Sequence, residues 1–446
     1  MPYTEMETQT PNKLILIAER AKREPAFQFV SLAHLLDAGY LESSYWELGR
    51  DRASGVDGVS WQKYGEDLEK NLKSLVSKMK VKQYKPQPVR RVYIPKDGNI
   101  TRPLGLPALE DKIVQRGLAQ ILGTIYEQDF LNCSYGFRPK RGCHDALKEM
   151  DALIMKRPIN FVVEADIKGY FDHVPHEKMM ELLGRRIKDP SLLLLVRRFL
   201  KAGYQEDGKL MATEAGVPQG GNLSPVLSNI FLHYALDEWF VKEIRPRLRG
   251  ESHLVRYADD FICMAEKEED AQEILSALRE RLVQHGLELH PDKTRLLSFG
   301  RKEREKARRQ NRKASTFDFL GFTHYCGKSR RGYFKLGIKT SKKKYRKCCR
   351  EMNLWLKGVR NVQKAKEWWP LLKSKLRGHY QYYGVSGNYE AIKRYYLQTQ
   401  RMMFKWMNRR SQRKSFSIKT FFEYLKRYTL PKPRIVHSFY TLSFAM

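Results

Sequence analysis

The chain has 446 residues, 42% hydrophobic and 30% charged, with 29 Gly and 19 Pro. That gives room for two to four packed units and excludes collagen-like, low-complexity and disordered classes. The net charge of +33 is unevenly placed: residues 301–446 hold 39 Lys and Arg against 7 Asp and Glu, while residues 1–300 are close to neutral.

Apolar positions at helical spacing run through 11–48, and Ser54-Gly55-Val56-Asp57-Gly58 reads as a turn before a polar helix over about 64–79. Between 86 and 107 the pattern becomes extended: Val89, Val92 and Ile94 precede Pro95-Lys96-Asp97-Gly98, a hairpin signal. Helical periodicity returns over 110–126. Residues 161–165 form a short apolar run ending on Asp166, which favours a buried strand, and 192–200 read as a core helix. Ser224-Pro225 marks a helix start whose apolar run continues to Phe240. Two short strands, 254–257 and 261–265, flank Ala258-Asp259-Asp260, and 270–285 predicts an amphipathic helix closed by Gly286. The basic run 300–314 reads as an exposed connection and 317–322 as a final strand. From Lys339 onward the spacing is helical.

The six cysteines, Cys133, Cys143, Cys263, Cys326, Cys348 and Cys349, show neither zinc spacing nor a secreted disulfide framework, so a reducing compartment is expected. No apolar run is long enough to span a bilayer, and no membrane partner is expected. The basic third interleaves Trp355, Trp368, Trp369, Tyr380, Tyr395 and Trp406 with its cations, a composition suited to phosphate contact, packing and base stacking.

Three carboxylates carry the candidate chemistry. The strands ending at Asp166 and flanking Asp259-Asp260 bury well only side by side, which would gather the acids at one sheet rim. Clustered like charges call for a divalent cation. A pair of such ions can lower the pKa of an attacking hydroxyl and steady the leaving oxygen of an in-line displacement. Taken alone, Tyr257-Ala258-Asp259-Asp260 would fit a turn equally well.

It does not stand alone. Asp166-Ile167-Lys168-Gly169-Tyr170-Phe171-Asp172, Pro218-Gln219-Gly220, Tyr257-Ala258-Asp259-Asp260 and Phe319-Leu320-Gly321-Phe322 follow in the order and spacing of a reverse transcriptase. Tyr93-Ile94-Pro95-Lys96, Arg102-Pro103-Leu104-Gly105-Leu106-Pro107, Ser134-Tyr135-Gly136-Phe137-Arg138-Pro139 and the turn at Ser54 narrow the likeness. Along its whole length the chain resembles a bacterial group II intron-encoded reverse transcriptase and maturase, in the form lacking a His-Asn-His endonuclease domain.

The resemblance implies an α+β right-hand polymerase. It would have an N-terminal extension over 1–60, fingers and an α/β palm over 61–325, and a basic helical thumb and maturase domain over 326–446. It implies an RNA-directed DNA polymerase that also binds intron RNA to promote splicing and retrohoming. Asp166, Asp259 and Asp260 match the family's metal-binding, catalytic carboxylates, which take two Mg²⁺ ions with Mn²⁺ as a substitute. Lys96 and Arg102 match residues that hold the incoming triphosphate, Phe171 the aromatic gate under the sugar, Gln219 a contact near the sugar, and Leu320-Gly321 the primer grip. The implied partners are intron RNA and RNA template, a DNA primer and target, and deoxynucleoside triphosphates, in the bacterial cytoplasm beside the nucleoid; a homodimer stays open. Two other readings stay open as well: a related reverse transcriptase recruited to DNA repair or phage defence, and a non-catalytic RNA-binding splicing factor.

Overall fold

The structure, a computed structural model, describes residues 9–95, 101–217, 220–362, 364–410 and 415–439, with side chains from residue 13 onward. The chain begins with helices α1 (Gln9–Arg23), α2 (Ala38–Trp46), α3 (Trp61–Gly65) and α4 (Leu68–Lys80). Short polar residues start two of them. Asp37 accepts from the Tyr40 N–H at 2.9 Å and Ser60 from the Lys63 N–H at 3.2 Å, filling donors that have no partner within the helix. Strands β1 (Val89–Pro95) and β2 (Thr101–Leu106) pair antiparallel from Arg90↔Leu106 to Pro95↔Thr101, as the hairpin signal predicts. Their connection, with Lys96, lies outside the described residues. Helix α5 (Leu109–Tyr126) buries Ile113, Val114, Leu118, Ile121, Leu122 and Ile125 completely, so it runs through the core and not along the surface.

Helix α6 (Cys143–Lys156) leads to β3 (Phe161–Asp166), then to short α7 (Tyr170–His173), α8 (His176–Leu183) and α9 (Pro190–Leu200). Strands β4 (Tyr204–Glu206) and β5 (Lys209–Met211) extend the finger sheet in the order β2-β1-β4-β5. Helix α10 (Ser224–Leu232) passes into two π-helical turns, His233–Asp237 and Phe240–Ile244. Strands β6 (Ser252–Tyr257) and β7 (Asp260–Ala265), helix α11 (Glu268–Gln284) and strand β8 (Arg295–Ser298) complete an antiparallel palm sheet ordered β6-β7-β3-β8. Both faces of this sheet are covered. Val162, Ile262 and Met264 enter one core with Leu147 and Met150 of α6, while Val163, Phe261 and Cys263 enter another with Ile274 and Leu278 of α11. A strand buried on both faces reads as a near-continuous apolar run, which 261–265 shows in full and 161–165 shows apart from Glu164, whose carboxylate accepts from Arg295.

The basic run 300–314 differs from its reading as an exposed connection. It contains helix α12 (Arg301–Arg309), whose Glu303 and Ala307 are buried. Glu303 accepts from Arg312 at 2.6 and 3.0 Å, so an ion pair folds the end of the run back onto its own helix. The single strand expected over 317–322 is instead a hairpin. Strands β9 (Thr316–Phe319) and β10 (Phe322–Lys328) are joined by Leu320 and Gly321 at φ 48° and 80°, positive at both positions as in a type I′ turn. Strand β11 (Phe334–Thr340) pairs with β10, which runs unbroken through 325 and 326. Helices α13 (Lys342–Val362), α14 (Ala365–Tyr383), α15 (Tyr389–Met407) and α16 (Ile418–Arg427) follow, as the helical spacing predicts. Trp368, Trp369, Tyr380, Tyr395 and Trp406 are buried among them, and this second core is continuous with the α6 face of the palm sheet. No helix among the described residues is long and apolar enough to cross a membrane.

Candidate active site

The palm sheet builds the acidic rim that the sequence predicts. Antiparallel pairing of β3 with β7 sets Asp166 directly opposite Asp260, and β6 pairs with β7 down to Tyr257↔Asp260. Only Ala258 and Asp259 are left to close the hairpin. The tight closure puts Ala258 at φ 57°, a conformation that costs a residue with a Cβ on the order of 1 kcal/mol. Its carbonyl oxygen accepts a hydrogen bond from Arg256 Nη1 at 3.0 Å.

Two lysines answer the acids. Lys293 Nζ donates to Asp166 Oδ2 at 2.7 Å. It arrives there because the 288–290 backbone pairs with the end of β3: Lys168 N donates to Glu288 O at 2.9 Å and His290 N to Asp166 O at 2.7 Å. Protein packed around the Asp260 carboxyl, then the charges of Asp259 and Asp166, push its pKa up to about 6, while Lys344 and Lys293 pull it down. Asp260 is itself exposed to solvent, so crowding by Asp259 and by Asp166 directly opposite is the part of the shift that the geometry supports. Among the described residues no three His, Cys, Asp or Glu side chains are already closed into a metal-holding cluster. The donor set nevertheless suits a hard divalent cation, since it consists of carboxylate oxygens whose repulsion the raised Asp260 reports.

A cavity of about 440 Å³ is lined by Arg91, Pro103, Leu104 and Gly105 of the fingers, by Phe171 and Asp172 in the short helix that follows β3, and by 212–217. Phe171 O accepts from Val217 N at 2.7 Å, which ties Phe171 to the loop ahead of α10. Glycine is required where that loop closes on its neighbours. Gly216, at φ 96°, would set a Cβ 2.9 Å from Phe171 O, and Gly220, at φ 110°, would set one 2.6 Å from Gly105 O.

The predicted residues divide accordingly. Asp166, Asp259 and Asp260 share one rim, and Phe171 lines the cavity. Arg102 is exposed on β2 opposite Ile94, next to the cavity-lining Pro103. Lys96 and Gln219 lie outside the described residues. Leu320 and Gly321 form the β9–β10 turn, held by Tyr382 Oη donating to Leu320 O at 3.0 Å and by Ser341 N donating to Gly321 O at 3.0 Å. A Cβ on Gly321 would lie 3.6 Å from Lys344 Cγ, so the lysine that acts on Asp260 packs against this turn. Lys293, Lys344 and Arg256 are functional candidates that sequence reasoning missed. The only signal was that each is a cation next to or downstream of an acidic motif.

Residues 94–324 match the model of a family described as reverse transcriptase (RNA-dependent DNA polymerase). The chain is 39% identical over 213 residues to the group II intron-encoded protein LtrA of Lactococcus lactis subsp. cremoris, covering 47% of this chain and 34% of LtrA. It is 37% identical over 275 residues to protein YkfC of Escherichia coli, covering 54% of this chain and 71% of YkfC. An uncharacterized protein in the cob intron of Schizosaccharomyces pombe is 36% identical over 182 residues, which is 41% of this chain and 22% of that protein. The chain thus spans about a third of the length of LtrA.

Proposed function

This chain belongs to the reverse transcriptase (RNA-dependent DNA polymerase) family, and on that premise we propose that it is a polymerase of the group II intron type, copying RNA into DNA and holding intron RNA for splicing. The observation that carries the reading is the register placing Asp166 opposite Asp260, with Asp259 next to Asp260 in the β6–β7 turn. In the proposed reaction a primer 3′-oxygen bonds to the α-phosphorus of a deoxynucleoside triphosphate. The bond from that phosphorus to the β-phosphate oxygen breaks, pyrophosphate leaves, and the hydroxyl proton passes to solvent. Two Mg²⁺ ions, replaceable by Mn²⁺, would lower the pKa of the attacking hydroxyl and screen the triphosphate.

The chain's own residues supply placement. Asp166, Asp259 and Asp260 offer the oxygens, and Lys293 balances Asp166 until its oxygen is needed as a ligand. Phe171 lies under the sugar, where its ring would meet a 2′-hydroxyl and so favour deoxynucleotides. Lys96 and Arg102 hold the triphosphate, one as a point charge and one as a fork of donors. Gln219 contacts the nucleotide near its sugar. The Leu320-Gly321 turn seats the primer end.

The maturase role is supported by the net positive third built on an aromatic core and by the likeness to an intron-encoded protein. It needs none of the carboxylates. We place the protein in the bacterial cytoplasm beside the nucleoid, where its six free cysteines stay reduced and its template and target lie. The test is Mg²⁺-dependent extension of a DNA primer on an RNA template. In Asp259→Asn extension is expected to fall by about 10³-fold or more, with intron RNA binding and splicing retained. Persistent extension in that variant would overturn the assignment of Asp259 as a metal-binding, catalytic carboxylate. Loss of splicing along with extension would show that the maturase role depends on the carboxylates, and a parent that extends primers without promoting splicing would favour a reverse transcriptase serving repair or defence.

A further inference from the structure

The segment Ser134-Tyr135-Gly136 has no task in the proposed chemistry, yet it lies directly behind the acidic hairpin. Arg256 N donates to Cys133 O at 2.8 Å and Tyr135 N to Arg256 O at 2.9 Å, so the segment runs beside β6 like a further strand. A Cβ on Gly136 would lie 2.4 Å from Ala258 N, closer than real atoms approach, so the Gly136 backbone rests on the strained residue of the hairpin. Gly136 O in turn accepts from Asn229 Nδ2 at 2.7 Å.

Between these parts sits Arg256, wholly buried, with all five guanidinium N–H donors engaged. Nε and Nη2 donate to the two oxygens of Asp237 at 2.7 and 2.5 Å. Nη2 also donates to Ser134 Oγ at 2.7 Å, and Nη1 donates to Asn229 Oδ1 at 3.1 Å and to Ala258 O at 3.0 Å. Asn229 and Asp237 are eight residues apart on one continuous helical run, where ideal α-helical geometry would point them about 80° away from each other. The π-helical turn His233–Asp237, with its wider i→i+5 bonding, absorbs that angle and lets both side chains reach one guanidinium.

A buried ion pair of this kind is a poor source of stability, because taking two charges out of water offsets most of their attraction. What it supplies is a fixed location for the groups it binds. We propose that Arg256 is a positioning residue: with Ser134 and Gly136 it clamps Ala258 from behind and so sets the direction in which Asp259 offers its carboxylate to the site's divalent ions. This inference rests on reading the rim as a metal-dependent polymerase site.

The test compares Arg256→Lys, Ser134→Ala and Gly136→Ala with the parent protein in four measurements. These are kcat and KM for the deoxynucleotide, affinity for an RNA template, midpoint of thermal unfolding, and Mn²⁺ affinity of the protein–template complex by electron paramagnetic resonance. Gly136→Ala perturbs the clamp by bulk alone and Arg256→Lys by removing the fork. Both are expected to lower kcat by about 10- to 100-fold and Mn²⁺ affinity by about tenfold, with KM and template affinity within about threefold of the parent. Ser134→Ala, which removes one of five bonds, should do the same to a smaller degree. If Arg256→Lys does not fold, the other two variants decide. Folded variants that keep the parent's Mn²⁺ affinity and kcat would overturn the proposal. Should the parent itself fail to extend a primer, the polymerase reading falls, and the Mn²⁺ affinities still report whether the clamp orients Asp259.

Discussion

The palm and the helical third treat charge in opposite ways. Behind the acidic rim, cations are taken inside and matched: Arg256 with Asp237, both fully buried, and Arg138 with Glu127, where the arginine is 3% exposed. In the helical third the interior is aromatic and the cations stay above it. Arg360 and Lys405 sit 4.6 and 4.8 Å from the ring centre of Trp406, and Lys375 5.1 Å from that of Trp355. Paired internal charge fixes positions, which three carboxylates sharing ions require. A surplus of external positive charge over an aromatic core projects a field, which a phosphate backbone can meet in many registers. Chemistry and grip are thus built from different electrostatics, and the two should fail separately.

The largest effect expected from that separation is in Asp260→Asn. Primer extension should drop by about 10³-fold or more, with RNA affinity within about twofold of the parent by filter binding. A parallel loss of RNA affinity would mean that rim and basic surface act as one unit. The converse is a salt titration. If the basic third neutralises about six phosphates, RNA affinity should fall by about 10³ between 50 and 200 mM salt, while the extension rate at saturating template changes far less. A flat affinity curve would mean that the surface cations face only solvent.

The parts of this comparison that were readable in advance are the ones set by local rules. Asp166 and Asp259-Asp260 were legible because short apolar runs ending in acids have few ways to pack, and the register then does the rest. The helical third was legible from its spacing. Lys293 and Arg256 were not, because their partners lie far away in sequence and are chosen by strand register and by a π-helical turn that no local pattern announces. The hairpin at Leu320 was missed for a different reason. A type I′ turn ordinarily declares itself with Asn or Gly at both central positions, and here a leucine takes one of them at φ 48°. The run 300–314 looked like a solvated tether by charge count, and only the Glu303–Arg312 pair and buried Ala307 make it a docked helix.

A smaller effect tests the cavity between fingers and palm. Replacing Phe171 by alanine should leave RNA affinity unchanged and raise incorporation of ribonucleotides relative to deoxynucleotides by about 10- to 100-fold in a competition assay, if its ring is the sugar gate proposed above. An unchanged ratio would make Phe171 a packing residue and move sugar selection elsewhere in the cavity.

The smallest effect concerns stability, and it separates the two regions by pH. His324, fully buried and stacked 4.9 Å from Phe317, and His379, stacked 3.7 Å from Tyr395, both lie on the helical side of the molecule. Burial pushes each pKa down to about 3. An unfolded histidine titrates near 6.5, so between pH 6.5 and 3 the unfolded chain binds a proton that the folded chain refuses. The stability these residues allow is complete above pH 6.5 and drains away as pH falls, by about 2 kcal/mol for each at pH 5. In the palm, burial also lowers His176, but a hydrogen bond with Gly216 O at 2.8 Å opposes the shift. Acid should therefore loosen the thumb side first. Replacing His324 by phenylalanine keeps a ring against Phe317 and removes the titration. The difference in unfolding free energy between pH 7.5 and pH 5, measured by urea titration with tryptophan fluorescence, should shrink by about 2 kcal/mol in that variant. Coincident pH profiles for parent and variant would show that His324 takes up its proton without leaving the fold, and the acid sensitivity would then belong to the palm.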